Sequence, residues 1–206
     1  VRYWAPVLAI LATIGIIYAA YAAIRQKDLK FIIGFSSVSH MGYILLAIAA
    51  FTHTSLTGAV LLMFAHGVMA ASVFASIGFI YEQSHRREVS DFGGLGKKAP
   101  FIAVCFIMGS LASLGLPGFT NFPSELLVFL GAWPKFPWLV CIAVFGIFLT
   151  ALYLLRMLKD VCFGPLSGHT DSVRDAVTLE NRFPFILLLG VLLLFGFWPQ
   201  TLIQVI

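Results

Sequence analysis

Three side chains in this sequence pair reactive chemistry with an unusual setting: Glu125, His40 and His66. Glu125 is the only acid inside a long apolar stretch, whereas the other eight of the nine Asp and Glu lie in polar connecting segments. Hydrocarbon disfavours the charged form of any carboxyl, and an acid placed at that depth usually serves function. Imidazole titrates near pH 6.5 and carries a donor and an acceptor nitrogen, so it can pass protons along hydroxyls and water. Ser36, Ser39, His40 and Tyr43 stand at i, i+3, i+4 and i+7, one polar stripe on an otherwise apolar helix. His66 sits mid-depth in Phe64-Ala65-His66-Gly67. Together these residues form a candidate proton relay, with Ser36, Ser39 and Tyr43 in support. The plainer alternative is a set of hydrogen bonds that only holds helices together. Lys30 is read first as an interfacial anchor and second as a link from the relay to the water phase. His53, His85 and His169 fall in expected loops.

No glycine-rich nucleotide loop, haem or iron–sulfur ligand set, or nucleophile motif is visible, so no cofactor is expected on this chain. Cys105, Cys141 and Cys162 form no CxxC pair and have no His at ligand spacing, which reads as apolar packing and not as a metal site or disulfide framework.

The elements that hold these groups are set by composition. Hydrophobic residues make up 60% of the 206 and charged residues 11%, against roughly 25% charged in a soluble domain. A helix crosses the hydrocarbon core with about 20 apolar residues. Runs without Asp, Glu, Lys or Arg cover 3–24, 31–81, 136–155 and 183–206, and the run 99–134 contains only Glu125. The second run is too long for one crossing and is expected to turn near Thr52-His53-Thr54-Ser55. The reading is an all-α integral membrane protein of six transmembrane helices, at about 4–24, 29–51, 57–82, 99–133, 137–158 and 183–203.

Orientation follows from charge. All thirteen Lys and Arg except Arg2 and Lys135 fall in segments on one side, which assigns that side as the inner one. The C-terminus is then expected on the outer, periplasmic side. Trp4, Trp133, Trp138 and Trp198 all fall at expected outer helix ends, as an aromatic belt requires. The net charge of +4 is thus accounted for by orientation, and nucleic acid is not expected as a partner.

The fourth crossing is too long for a straight span and carries Gly115-Leu116-Pro117-Gly118 at its middle. Proline removes a backbone hydrogen bond and glycine frees the chain, so the helix is expected to break there. Broken helices place charge at the midplane of transporters, and Glu125 lies one or two turns beyond Gly118.

The stretch from Gln26 through Lys27-Asp28-Leu29-Lys30 to Ser36-Ser37-Val38-Ser39-His40-Met41-Gly42 resembles a signature of the antiporter-like subunits of complex I. So do Ala65-His66-Gly67, Phe92-Gly93-Gly94-Leu95, Ser113-Leu114-Gly115-Leu116-Pro117-Gly118 and Tyr153-Leu154-Leu155-Arg156 with Phe163-Gly164-Pro165. Glu125 resembles the M-type subunit, where the L- and N-type chains carry lysine. The resemblance covers nearly the whole chain. It implies a match to helices nine to fourteen of fourteen: the second of two inverted five-helix repeats, over 1–165 with its broken helix at 99–133, an inner-side loop at 166–182, and a C-terminal helix at 183–206. It implies relay roles for His40 and His66, and for Glu125 a link to the outlet or to a neighbouring subunit. NADH, flavin, iron–sulfur clusters and quinone are then expected on partner subunits. Other membrane-arm subunits are expected as partners, including one supplying the first eight helices, unless the sequence, which begins at Val1, is a fragment. No cleavable signal peptide is expected. The run Asn121-Phe122-Pro123-Ser124 departs from the family's small, glycine-containing segment before the glutamate. The implied location is a bacterial inner membrane, with an organelle inner membrane or thylakoid as alternatives. A multisubunit cation/proton antiporter, a membrane-bound hydrogenase and a non-conducting structural subunit share this scaffold or its elements and stay open.

Overall fold

The computed structural model describes residues 3–205, so Arg2, assigned above to the outer side, lies outside the described residues. Local signals set where each helix starts. Prolines, whose fixed φ and missing N–H suit a first turn, open α1 (Ala5–Arg25), α5 (Pro100–Ser113) and α7 (Pro137–Cys162). The Asp28 side chain accepts the Lys30 N–H at 2.8 Å to cap α2 (Leu29–Ala50). A reciprocal Thr52–Ser55 capping box starts α3 (His53–Ser84). Because that box satisfies the first-turn N–H groups, the turn expected over residues 52–55 shrinks and His53 already belongs to the helix. Thr178 caps α8 (Leu179–Phe197), which therefore begins inside the segment expected as loop and stops short of the expected 203. The remaining α-helices are short: α4 (Leu95–Lys98), α6 (Asn121–Ala132) and α9 (Gln200–Ile203), with single 3-10 turns at Val89–Asp91 and Thr170–Ser172. There is no strand among the described residues.

Five helices, α1, α2, α3, α7 and α8, are long and apolar enough to cross a membrane, and the protein is an integral membrane protein. At 14 and 12 residues, α5 and α6 each fall short of the length a crossing needs. They are separate helices joined by residues 114–120, where Gly115 and Gly118 take φ of +65° and +102°.

Close approach of backbones sets the packing, as expected where lipid supplies no hydrophobic drive between helices. A Cβ on Gly58 would strike the backbone of Leu127 and Val128, and one on Gly131 would strike Ser55, so α3 and α6 lie almost backbone to backbone. Thr52 Oγ1 donates to the Gly131 carbonyl at 2.9 Å and ties the same two ends together. Helix α2 packs against α1, α3, α6 and α7. Its buried face brings Ser36, Ser39, His40 and Tyr43 into the interior. The four tryptophans cap or adjoin helix ends and are all exposed.

At the opposite end, the segment after α7 clasps the start of α5. The Asp175 carboxylate accepts the N–H groups of Phe101 and Ile102 at 3.0 and 3.1 Å, an anion placed at the positive end of a helix. Lys98 Nζ donates to Asp171 at 2.8 Å, and this ammonium holds the exposed Asp171 carboxyl below its ordinary range.

Candidate functional site

Glu125 lies in the second turn of α6 with 5% of its surface exposed. Its carboxylate reaches back toward the end of α5: Oε1 stands 3.6 Å from His40 Nε2. Gly115 is pressed against the same carboxylate, and any Cβ there would collide with Oε2. The residue must therefore be glycine twice over, for its left-handed φ and for the room it leaves the acid.

His40 is 1% exposed and both ring nitrogens face oxygen acceptors. Nδ1–H donates to the Ser36 carbonyl at 2.8 Å, one turn back on α2. Nε2 faces the Ser113 carbonyl at 3.1 Å as well as Glu125. Ser113 is the last residue of α5, so its carbonyl is among those that a helix terminus leaves without an intrahelical partner. A carbonyl can only accept. A ring with both nitrogens protonated satisfies both carbonyls while Glu125 is ionised. A neutral ring with Nδ1–H instead leaves Nε2 free to accept from a protonated Glu125. The geometry can thus accommodate one proton on either partner, so the two residues are described together as a pair.

His66 of α3 stacks on His40, with ring centroids 5.1 Å apart and planes 25° from parallel. Its Nε2 shares a 2.7 Å hydrogen bond with Ser37 Oγ. Its Nδ1 is buried without a partner among the described residues, as are Ser72 Oγ, Ser110 Oγ and the side-chain amide of Asn121. Buried polar groups are normally hydrogen-bonded, so this interior retains bonding capacity that protein groups do not use.

The expected stripe divides in two. Ser36 joins the site: its hydroxyl receives a hydrogen bond from Tyr153 at 2.7 Å and lies 3.4 Å from Ser113 Oγ. Ser39 and Tyr43 turn to neighbouring helices, Ser39 donating to the Ile16 carbonyl at 3.1 Å and Tyr43 to the Ala143 carbonyl at 3.2 Å. The Tyr43 ring still meets His40 edge-on at 5.9 Å. Lys30 is exposed on the first turn of α2, and the structure does not bring it to the site. His53, His85 and His169 are exposed. Gly115 and Gly118 shape the connection, with Pro117 between them. No group of three His, Cys, Asp or Glu able to hold a metal is found among the described residues.

Sequence reasoning missed three members of the site. Ser37 holds His66, Ser113 meets His40 with its carbonyl, and Tyr153 bonds Ser36. All three stand in stretches quoted above for the resemblance, Ser113 two residues before Gly115, but nothing in their spacing assigned them a role.

Comparison with known proteins places the chain in a family. NAD(P)H-quinone oxidoreductase chain 4 1 of Synechococcus sp. (strain JA-2-3B'a(2-13)) is 42% identical over 212 residues, covering 98% of this chain and 40% of the relative. A chain of respiratory complex I from Thermus thermophilus superposes with a TM-score of 0.88 at 31% identity, covering 96% of this chain and 41% of the other. A chain of the Mrp complex from Dietzia sp. DQ12-45-1b gives a TM-score of 0.90 at 21% identity, covering 98% of this chain and 46% of the other, which shows a shared fold. The chain thus spans about two fifths of the length of these relatives. A family model described as NADH:quinone oxidoreductase/Mrp antiporter, TM, matches residues 2–150, and this chain belongs to that family.

Proposed function

We propose that this chain is part of a proton-translocating membrane-arm subunit of a complex I-type NADH:quinone oxidoreductase. In this reading α5 and α6 together make a sixth, interrupted crossing, and the end rich in Lys and Arg faces the inner side. The observation that carries it is the buried Glu125 carboxylate 3.6 Å from His40 Nε2, with His66 stacked on that ring. Two unit charges at that separation interact by about 4–5 kcal/mol at an effective dielectric constant near 20. Any change in charge on one partner therefore alters the proton affinity of the other enough to load or discharge it. Quinone reduction on partner subunits supplies the energy, and the charge state of neighbouring membrane-arm groups delivers it to the pair. NADH, flavin, iron–sulfur clusters and quinone belong to those partners.

The second reading is a subunit of a multisubunit cation/proton antiporter. It is favoured by the equally good superposition on the Mrp complex chain. The two readings assign the same chemistry to Glu125 and His40 and differ in what drives it, so the subunits that copurify with the chain decide between them. The test of the relay itself is Glu125→Gln in the intact complex, reconstituted in proteoliposomes. Loss of proton translocation with an assembled complex is expected. Parental proton translocation coupled to parental quinone reduction would refute the relay and favour a structural subunit.

A further inference from the structure

A cavity of about 1020 Å³ opens at the end of the bundle where Lys and Arg concentrate. Exposed residues of its lining include Lys27, Glu88, Ser90 and Arg156, whereas Tyr153, also in the lining, is 4% exposed. The cavity thus runs from charged, water-facing side chains to a buried phenol. Beyond that phenol two more hydroxyls follow. Tyr153 O–H donates to Ser36 Oγ at 2.7 Å, and Ser36 Oγ lies 3.4 Å from Ser113 Oγ. Ser113 is also the residue whose carbonyl faces His40 Nε2 at 3.1 Å, while the Ser36 carbonyl takes the His40 Nδ1–H. Both serines of the path therefore grip the imidazole through their backbones.

We propose that Tyr153 and Ser36 form the entrance of the relay from the basic face, a two-hydroxyl gate between water in this cavity and the His40–Glu125 pair. The inference rests on the proton-relay reading above. Protons move by exchange: one from cavity water bonds to the Tyr153 oxygen as the phenolic O–H breaks toward Ser36. Ser36 gives its own proton to Ser113, and the last transfer, from Ser113 to the pair, is carried by water, because the protein contact there is the Ser113 carbonyl, which can only accept. No hydroxyl keeps a net charge, and rotation of the three O–H groups resets the path. Opening the Tyr153–Ser36 bond interrupts it, which makes this contact a gate as well as a conductor. The expected effect of removing it falls in the range for a positioned proton-transfer group, on the order of 10²-fold or more.

The test uses the assembled complex in inverted membrane vesicles, with the basic face outward. Tyr153→Phe removes only the phenolic O–H and is expected to slow proton translocation on the order of 10²-fold, with the complex still assembled. Ser36→Ala is expected to do the same, and the double variant to lose no more than either single one, because the two hydroxyls act as a unit. Hydration of the cavity is read separately: Ile24→Cys, in the cavity wall and only partly buried, is expected to react with a membrane-impermeant thiol reagent from the basic face, above the labelling of the parental complex. Parental translocation by Tyr153→Phe, or no added labelling of Ile24→Cys, overturns the entrance. If Tyr153→Phe does not assemble, the labelling result alone decides. Loss of translocation in Glu125→Gln alongside a fully active Tyr153→Phe rejects the entrance and spares the relay, whereas an active Glu125→Gln rejects the relay itself.

Discussion

Gly115 and Gly118 offer a way to separate backbone strain from the position of the carboxylate. Both have positive φ, +65° and +102°, so an alanine at either is strained. At Gly115 the left-handed conformation costs an L residue about 1–2 kcal/mol. At Gly118, outside the left-handed well, the cost is about 1–3 kcal/mol. On strain alone, Gly118→Ala is at least as damaging. The surroundings reverse the order. A Cβ at Gly118 meets nothing nearer than Phe197 Cζ at 3.6 Å, an ordinary contact, whereas a Cβ at Gly115 collides with Glu125 Oε2. That oxygen must give way by about 1 Å to regain van der Waals separation. A carboxylate retreating by that much from its 3.6 Å contact with His40 loses about 1 kcal/mol of interaction at an effective dielectric constant of 20, or about fivefold in the population of the coupled pair. The assay is proton translocation by the reconstituted complex, normalised to quinone reduction and to complex abundance. Gly115→Ala is expected to lose about fivefold or more per assembled complex, and Gly118→Ala less than twofold. Equal losses in the two variants, or parental translocation by Gly115→Ala, would refute the argument that Gly115 exists to seat the acid.

Other consequences are more local. Gly131→Ala drives a methyl group into the Ser55 backbone where α3 and α6 touch. Overpacking of this kind costs about 1–3 kcal/mol, so the thermal midpoint and abundance of the purified complex are both expected to fall. Asp175→Ala frees two N–H groups at the start of α5. A lost cap costs about 0.5–2 kcal/mol, and hydrogen exchange at Phe101 and Ile102 is expected to speed up while exchange in α1 stays as it was. A uniform rise in exchange across both helices would argue against a local clasp.

How much of this was legible beforehand depends on which interactions are local along the chain. The long apolar helices α1, α2 and α7 follow from runs free of Asp, Glu, Lys and Arg, and their starts from prolines and an Asx cap a few residues away. The isolation of Glu125 is likewise a property of the sequence alone. What could not be read is the direction in which a polar side chain turns once its helix is packed. Ser39 and Tyr43 share a stripe with His40 yet bond to Ile16 and Ala143, because α1 and α7 offer carbonyls to that flank of α2. Tyr153 meets Ser36 across 117 residues of chain, a separation at which no periodicity carries information. The capping box at Thr52 shows the reverse case, a short-range device misread as a loop because its residues are small and polar.

The proposed relay also accounts for the occurrence of one fold in chains of both complex I and an Mrp complex. Nothing in the cluster of Glu125, His40 and His66 binds an electron carrier or selects a substrate cation, and no metal-ligand group accompanies it among the described residues. On the reading proposed above, the cluster offers one proton shared by an acid and an imidazole, held between the carbonyl end of α5 and the backbone of α2. Such a pair responds to any charge brought near it, whether that charge comes from quinone chemistry or from a cation moving down its gradient. The coupling partner can therefore change without the pair changing. The features that must be kept are the ones that fix its geometry: the bare backbone at Gly115, the end of α5 at Ser113, and the close contact of α6 with α3 that delivers Glu125 to His40.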